Sequence, residues 1–139
     1  MPYKIDAVDI WCATIEDRPG GLSAKLGPLA AAGANLEFVL ARRDQPGTGV
    51  VFVSPVKGVK ATRAAQEAGL AKSAEIAALR IEGPDKPGLG AKLTAALAEA
   101  GINLRGLAAS ATKNRCIVYL VFDAKEDAAK AKRTLAKAL

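Results

Sequence analysis

Two stretches of this chain carry residues whose types and spacing suit the capture of a small polar molecule. Residues 17–36 read DRPGGLSAKLGPLAAAGANL and residues 85–104 read DKPGLGAKLTAALAEAGINL, with nine identities over twenty positions. In each, an aspartate (Asp17 or Asp85) precedes a basic residue and a Pro-Gly pair, and an apolar-periodic run follows that ends at Gly-x-Asn-Leu. Backbone N–H groups in the first turn of a helix lack an intrahelical acceptor and sit at the positive end of its dipole, a natural seat for a carboxylate. The candidate positions are Pro19, Gly20, Gly21 and Leu22 in the first stretch, and Pro87, Gly88, Leu89 and Gly90 in the second. Asp17 and Asp85 supply the opposite charge, able to meet an ammonium group through a charge-assisted hydrogen bond. Asn35 and Asn103, after the helix, offer both a donor and an acceptor.

Every one of these residues also has a plainer use. An aspartate at this point caps helices and forms Asx turns without any ligand. Gly33 and Gly101 are expected to stop their helices with positive φ. The asparagines can satisfy the turn that follows the helix, and the loop glycines can be turn punctuation. Capping and binding are compatible, so both readings stay open on sequence.

Other chemistries find little support. The chain has no histidine, so a general acid or base near neutral pH would need a strongly perturbed side chain, and no cluster of acids, lysines or cysteines recurs outside the two loops. Cys12 and Cys116 are far apart and have no CxxC spacing. No catalytic residue, metal site or cofactor is therefore expected, and the chain reads as a non-enzyme. Two isolated cysteines fit a reducing, cytoplasmic setting. The first residues lack the apolar core of a signal peptide and no apolar run approaches membrane-spanning length, so no membrane partner is expected. The formal charge of +6 is scattered: Arg42 and Arg43 precede Asp44, and the tail mixes Glu126 and Asp127 with five basic residues. That is the pattern of a solvated surface. An RNA-binding sheet is the lesser alternative, because the strand GVVFVSPV at 49–56 offers Phe52 and no second ring; no specific nucleic-acid partner is expected.

The elements that must position these loops follow from periodicity. The motif repeats after 68 residues, about the size of one small domain, which divides the chain into modules at 1–70 and 71–139. In the first, residues 7–16 alternate as a strand, Pro19 suits a first helical turn, and Leu22, Leu26 and Leu29 follow at helical spacing. Residues 35–43 and 50–55 form a hairpin around DQPGTG, and 58–69 form a second helix. The second module repeats this order. It has a strand within 75–82, a helix over 87–100, strands at 103–111 and 115–122 joined by a tight turn, and a closing helix from about 125. Each copy is then β-α-β-β-α, one strand short of a ferredoxin-like βαββαβ module. Residues 72–76 can complete the first copy, and residues 3–6, or the same element of another chain, the second. The expected class is α+β, two tandem antiparallel sheets with helices on one face. Modules this small are marginal alone, so they are expected to lean on each other or on a second chain, and a homodimer is expected.

The order strand, DxPG, apolar helix, GxNL and strand, found twice, resembles the signature of ACT domains, the amino-acid-sensing regulatory modules of enzymes such as phosphoglycerate dehydrogenase and aspartokinase. The resemblance covers nearly the whole chain as two domains, with no attached catalytic domain. DQPG at 44–47 precedes a strand and does not count towards it. The resemblance implies a small stand-alone regulatory protein. It would bind an amino acid or similar zwitterion at the DxPG loop between modules, and its partner would be a metabolic enzyme. The serine-sensing members carry a histidine shortly before the DxPG position and an asparagine where this chain has Asp17 and Asp85. The missing histidine and the aspartates leave the ligand's identity open and favour a cationic group at that point. The alternative is a protein-interaction module with a vestigial ligand site.

Overall fold

The computed structural model describes residues 2–139. The stretch 7–16 is not one strand. Ile10 and Trp11 are both buried in succession, which breaks the two-residue alternation a strand must keep. The chain forms β1 (Lys4–Val8) and β2 (Trp11–Glu16) on either side of that break. It continues as α1 (Ser23–Ala31), β3 (Phe38–Arg43), β4 (Thr48–Ser54), α2 (Val59–Glu67) and the short β5 (Ala71–Lys72). The second copy gives β6 (Ala77–Pro84), α3 (Leu89–Glu99), β7 (Gly106–Thr112), β8 (Arg115–Phe122) and α4 (Lys125–Ala138).

Two four-stranded sheets result, in the orders β3-β4-β2-β5 and β1-β6-β8-β7, with every pairing antiparallel. Each copy does obtain its fourth strand. Ala71 and Lys72 pair with Cys12 and Trp11, while Lys4–Val8 pairs with residues 78–82 in the same chain. One compact unit is therefore Asp9–Ser73, and the other is Ala74–Leu139 together with β1. Tyr3 secures β1: its hydroxyl donates to the Pro84 carbonyl at 2.8 Å. Gly83 makes room for the ring, since a Cβ there would lie 2.3 Å from Tyr3 Cδ1. Each unit has its own core, with Leu29, Val51 and Val53 fully buried in the first and Leu79, Ile81, Leu93, Leu97, Leu120, Phe122 and Leu135 in the second. The architecture is α+β, two ferredoxin-like modules.

Both loop helices start later than Pro19 and Pro87. Gly20 and Gly88 adopt φ of 86° and 84°, a left-handed conformation that cannot continue into a right-handed helix. The helices begin only beyond them, at Ser23 and Leu89. Both end as the glycines predict. Gly33 and Gly101 have positive φ, and the next amides reach back to Leu29 and Leu97, the closure that satisfies a helix's last carbonyls. The β7–β8 turn is two residues, Lys113 and Asn114, both with positive φ, as a tight hairpin requires.

Candidate functional site

In each copy the DxPG turn is tied to the tip of the following hairpin. The Asp17 amide donates to the Gly47 carbonyl at 3.1 Å, and the Asp85 amide to the Asn114 carbonyl at 2.9 Å. A cavity forms where the loop lies over the end of the hairpin, about 230 Å³ in the first copy and about 300 Å³ in the second. Strand register identifies the matching positions. Glu16 pairs with Thr48 and Arg43 with Gly49; Pro84 pairs with Arg115 and Ala111 with Cys116. Arg43 and Ala111 are thus equivalent, each on the hairpin strand opposite its loop aspartate.

The first cavity is lined by charge, and that charge is internally matched. Arg43 Nε donates to Asp17 Oδ2 at 2.6 Å, Arg18 pairs with Glu16, and Arg42 lies 3.7 Å from Asp44. Arg18 holds the Glu16 carboxyl below the usual carboxylate range, and Asp17 pushes the Arg43 guanidinium further up. The hydrogen bond in each pair is the larger cause and the charge itself the second.

The second cavity has an apolar floor of Leu107, Ala109, Ala111 and Val118, with Cys116 beside them. Asp85, Lys86 and Ser110 stand at its edge, and no ion pair or side-chain hydrogen bond ties any of the three to another described residue. Gly88, Leu89 and Gly90 bring the start of α3 to the same cavity. The Leu89 amide is used by the Lys86 carbonyl and the Lys92 amide by Gly88. That leaves Gly90 and Ala91 as the first-turn amides with no intrahelical acceptor. The Cys116 thiol is pushed up, first by burial and then by the nearby Asp85 charge.

Of the residues singled out from sequence, Asp17 and Leu22 line the first cavity and Asp85, Gly88, Leu89 and Gly90 the second. Pro19, Gly20 and Pro87 shape the turns and are exposed. Gly21 is structural, because a Cβ there would fall 2.1 Å from the Glu16 carbonyl oxygen. Asn35 and Asn103 are exposed in the connections that leave the helices, before β3 and β7 begin. A nine-residue helix spans roughly 14 Å, so within one copy they stand at the far end from the aspartate. Neither aspartate caps its helix: α1 and α3 begin without a side-chain cap hydrogen bond. The cavity residues contributed by β3, β4, β7 and β8 escaped the sequence reading. Carrying the repeat past GxNL, where ARR at 41–43 faces ASA at 109–111, was the signal available.

Among the described residues no cluster of acids and cysteines could hold a metal, and no helix is long and apolar enough to cross a membrane. Residues 77–138 match the ACT domain family. Comparison with curated proteins by sequence finds no match. Solved structures are similar over nearly the whole chain. The regulatory subunit of aspartate kinase from Thermus thermophilus, in its ligand-free form, aligns with a TM-score of 0.69 and 22% identity, covering 100% of this chain and 97% of that one. The aspartokinase alpha and beta subunits give 0.65 and 21%, covering 99% and 97%. Protein BT0572 from Bacteroides thetaiotaomicron gives 0.78 and 17%, covering 93% and 88%. At these identities the likeness establishes the fold.

Proposed function

We propose that this chain, which carries an ACT domain over residues 77–138, is a regulatory protein that binds an amino acid or similar small zwitterion at the DxPG loop of its second copy. The observation that carries this is the Asp85 carboxylate, free of side-chain partners, on a cavity that also holds the first turn of α3 and an apolar floor. An ammonium group pairs with Asp85. The ligand's carboxylate takes the free amides at Gly90 and Ala91, near the positive end of the helix. Its side chain covers Leu107, Ala109 and Val118. A volume of about 300 Å³ lies at the small end of ligand pockets and suits a modest side chain. The reading is one of binding, without a reaction.

Regulation of a metabolic enzyme by a dimer of this chain in the cytoplasm is part of the same proposal. It is supported by the likeness, along almost the full length, to a structure described as the regulatory subunit of aspartate kinase. A thermal-shift screen with the twenty standard L-amino acids tests it. A ligand that binds only the folded chain stabilises it by about 2.7 kcal/mol at a hundred times its Kd, and Asp85→Ala is expected to remove that shift while leaving the ligand-free melting temperature nearly unchanged. If no amino acid moves the melting temperature, the interaction-module reading takes its place.

A further inference from the structure

The two cavities are formed by corresponding loops and strands and differ at one decisive position. Where the second copy has Ala111 lining the same cavity as its aspartate, the first has Arg43, and the register of β3 on β4 and of β7 on β8 makes the two positions equivalent. Arg43 reaches across from the hairpin and donates to Asp17 at 2.6 Å. The Arg43 side chain is 75% exposed while that of Asp17 is only 33% exposed, so the arginine lies on the outer side of the aspartate. A cationic group arriving from solvent therefore finds that carboxylate already engaged by a donor tethered within the same module.

We infer that Arg43 is a built-in occupant that closes the first copy's loop to ligand, and that this one residue sets binding at one site per chain. A tethered cation acts at an effective concentration that a free ligand at ordinary concentrations does not match. Breaking the arginine's bond to Asp17 also subtracts from the ligand's own binding energy. The remaining charges of that cavity are already paired, Glu16 with Arg18 and Arg42 with Asp44 outside the cavity lining, and offer no alternative anchor. The inference rests on the proposed zwitterion site for its choice of probe.

The test is an NMR titration of labelled protein with each of the twenty standard L-amino acids, following the amides of residues 17–24 and 85–92 separately. In the parent chain only the second set should move. In Arg43→Ala both sets should move, and the stoichiometry by calorimetry should rise from one to two. Arg43→Lys, which keeps the charge, should leave the first set still. Ethylguanidinium, a free stand-in for the arginine head, should move the first set in Arg43→Ala but not in the parent. The reciprocal change, Ala111→Arg, should weaken binding at residues 85–92 by at least tenfold. Because Arg43 is on the surface, its variants should keep the parent's dispersed spectrum. Residues 17–24 unmoved in Arg43→Ala by every amino acid and by ethylguanidinium would overturn the inference. Residues 85–92 unmoved in the parent would instead overturn the proposed second-copy site, while movement of 17–24 in Arg43→Ala would still support the role of Arg43.

Discussion

The first DxPG loop satisfies its charge within itself, and the second leaves its charge to solvent. Asp17 and Asp85 follow the first strand of their copies, each donates its amide to the hairpin tip, and each precedes a left-handed glycine. Around Asp17 stand Glu16, Arg18, Arg42 and Arg43, all in ion pairs. Around Asp85 the matching positions hold Pro84, Lys86, Ser110 and Ala111, and the carboxylate has no side-chain partner among the described residues. The motif alone therefore does not fix the charge around its aspartate. Two loops tied in the same way to their hairpins are separated by what the returning strand presents to them, and that strand lies about 25 residues beyond the aspartate.

The largest expected effect separates the loops by their glycines. Gly21 lies against the backbone of Glu16, where a Cβ would approach to 2.1 Å, and the oxygen it meets is held in the strand and cannot swing away. Gly21→Ala should cost about 3 kcal/mol, measured by urea unfolding. At Gly90, in the first turn of α3, an added Cβ would meet nothing within 4 Å. Gly90→Ala should stabilise by about 0.5 kcal/mol by restricting the unfolded chain, yet weaken amino-acid binding by narrowing the cavity. Equal effects at the two glycines would mean that the loops are built alike after all.

The aspartates should differ next. Asp85→Asn keeps the shape and removes the charge, and the loss of a charged partner is worth about 1.5–3 kcal/mol, so amino-acid affinity by calorimetry should fall roughly 10- to 100-fold. The same change removes a charge that raises the Cys116 thiol, so alkylation by iodoacetamide at pH 8.5 should become faster. Asp17→Asn should leave affinity alone. It breaks an exposed ion pair, so the melting temperature should fall little, and a matching drop in affinity would show that the first loop takes part in binding.

Much of this was legible in the sequence, because the duplication gave each element two witnesses. Leucine spacing and Gly33 and Gly101 placed the helices and their ends, and the strand deficit in each copy pointed to residues 3–6 and 72–76 as the missing edges. The helix starts were less legible: proline favours a first turn, but the left-handed glycine beside it overrides that preference. The division between β1 and β2 was hidden because alternation continues in residue type through Asp9 while the chain passes from one sheet to the other. At the site, the aspartates and loop glycines were visible because they are local. Arg43 and the apolar floor of Leu107, Ala109 and Val118 were not, because their role depends on antiparallel register, which brings together residues distant in sequence.

The smallest effect is a salt-sensitive acid titration that only the first loop should show. Arg18 holds the Glu16 carboxyl below its ordinary value, whereas the equivalent position in the second copy is Pro84, which does not titrate. A carboxylate with a lowered folded-state pKa contributes stability that is present above the unfolded value of about 4.3. That contribution is lost as pH falls through the lower folded value. Between pH 5 and pH 2 the amides of residues 16–18 should therefore shift with a midpoint below that of an unpaired glutamate. The Asp85 and Lys86 amides in the second loop have no such pair beside them, so no step there should move with salt. Both partners of the Glu16 pair are largely exposed, so raising ionic strength should screen the attraction and move the first loop's midpoint back towards the usual range. A midpoint in the first loop that ignores salt, or an identical low-pH transition in both loops, would show that the ion pairs around Asp17 are not what distinguishes the two copies.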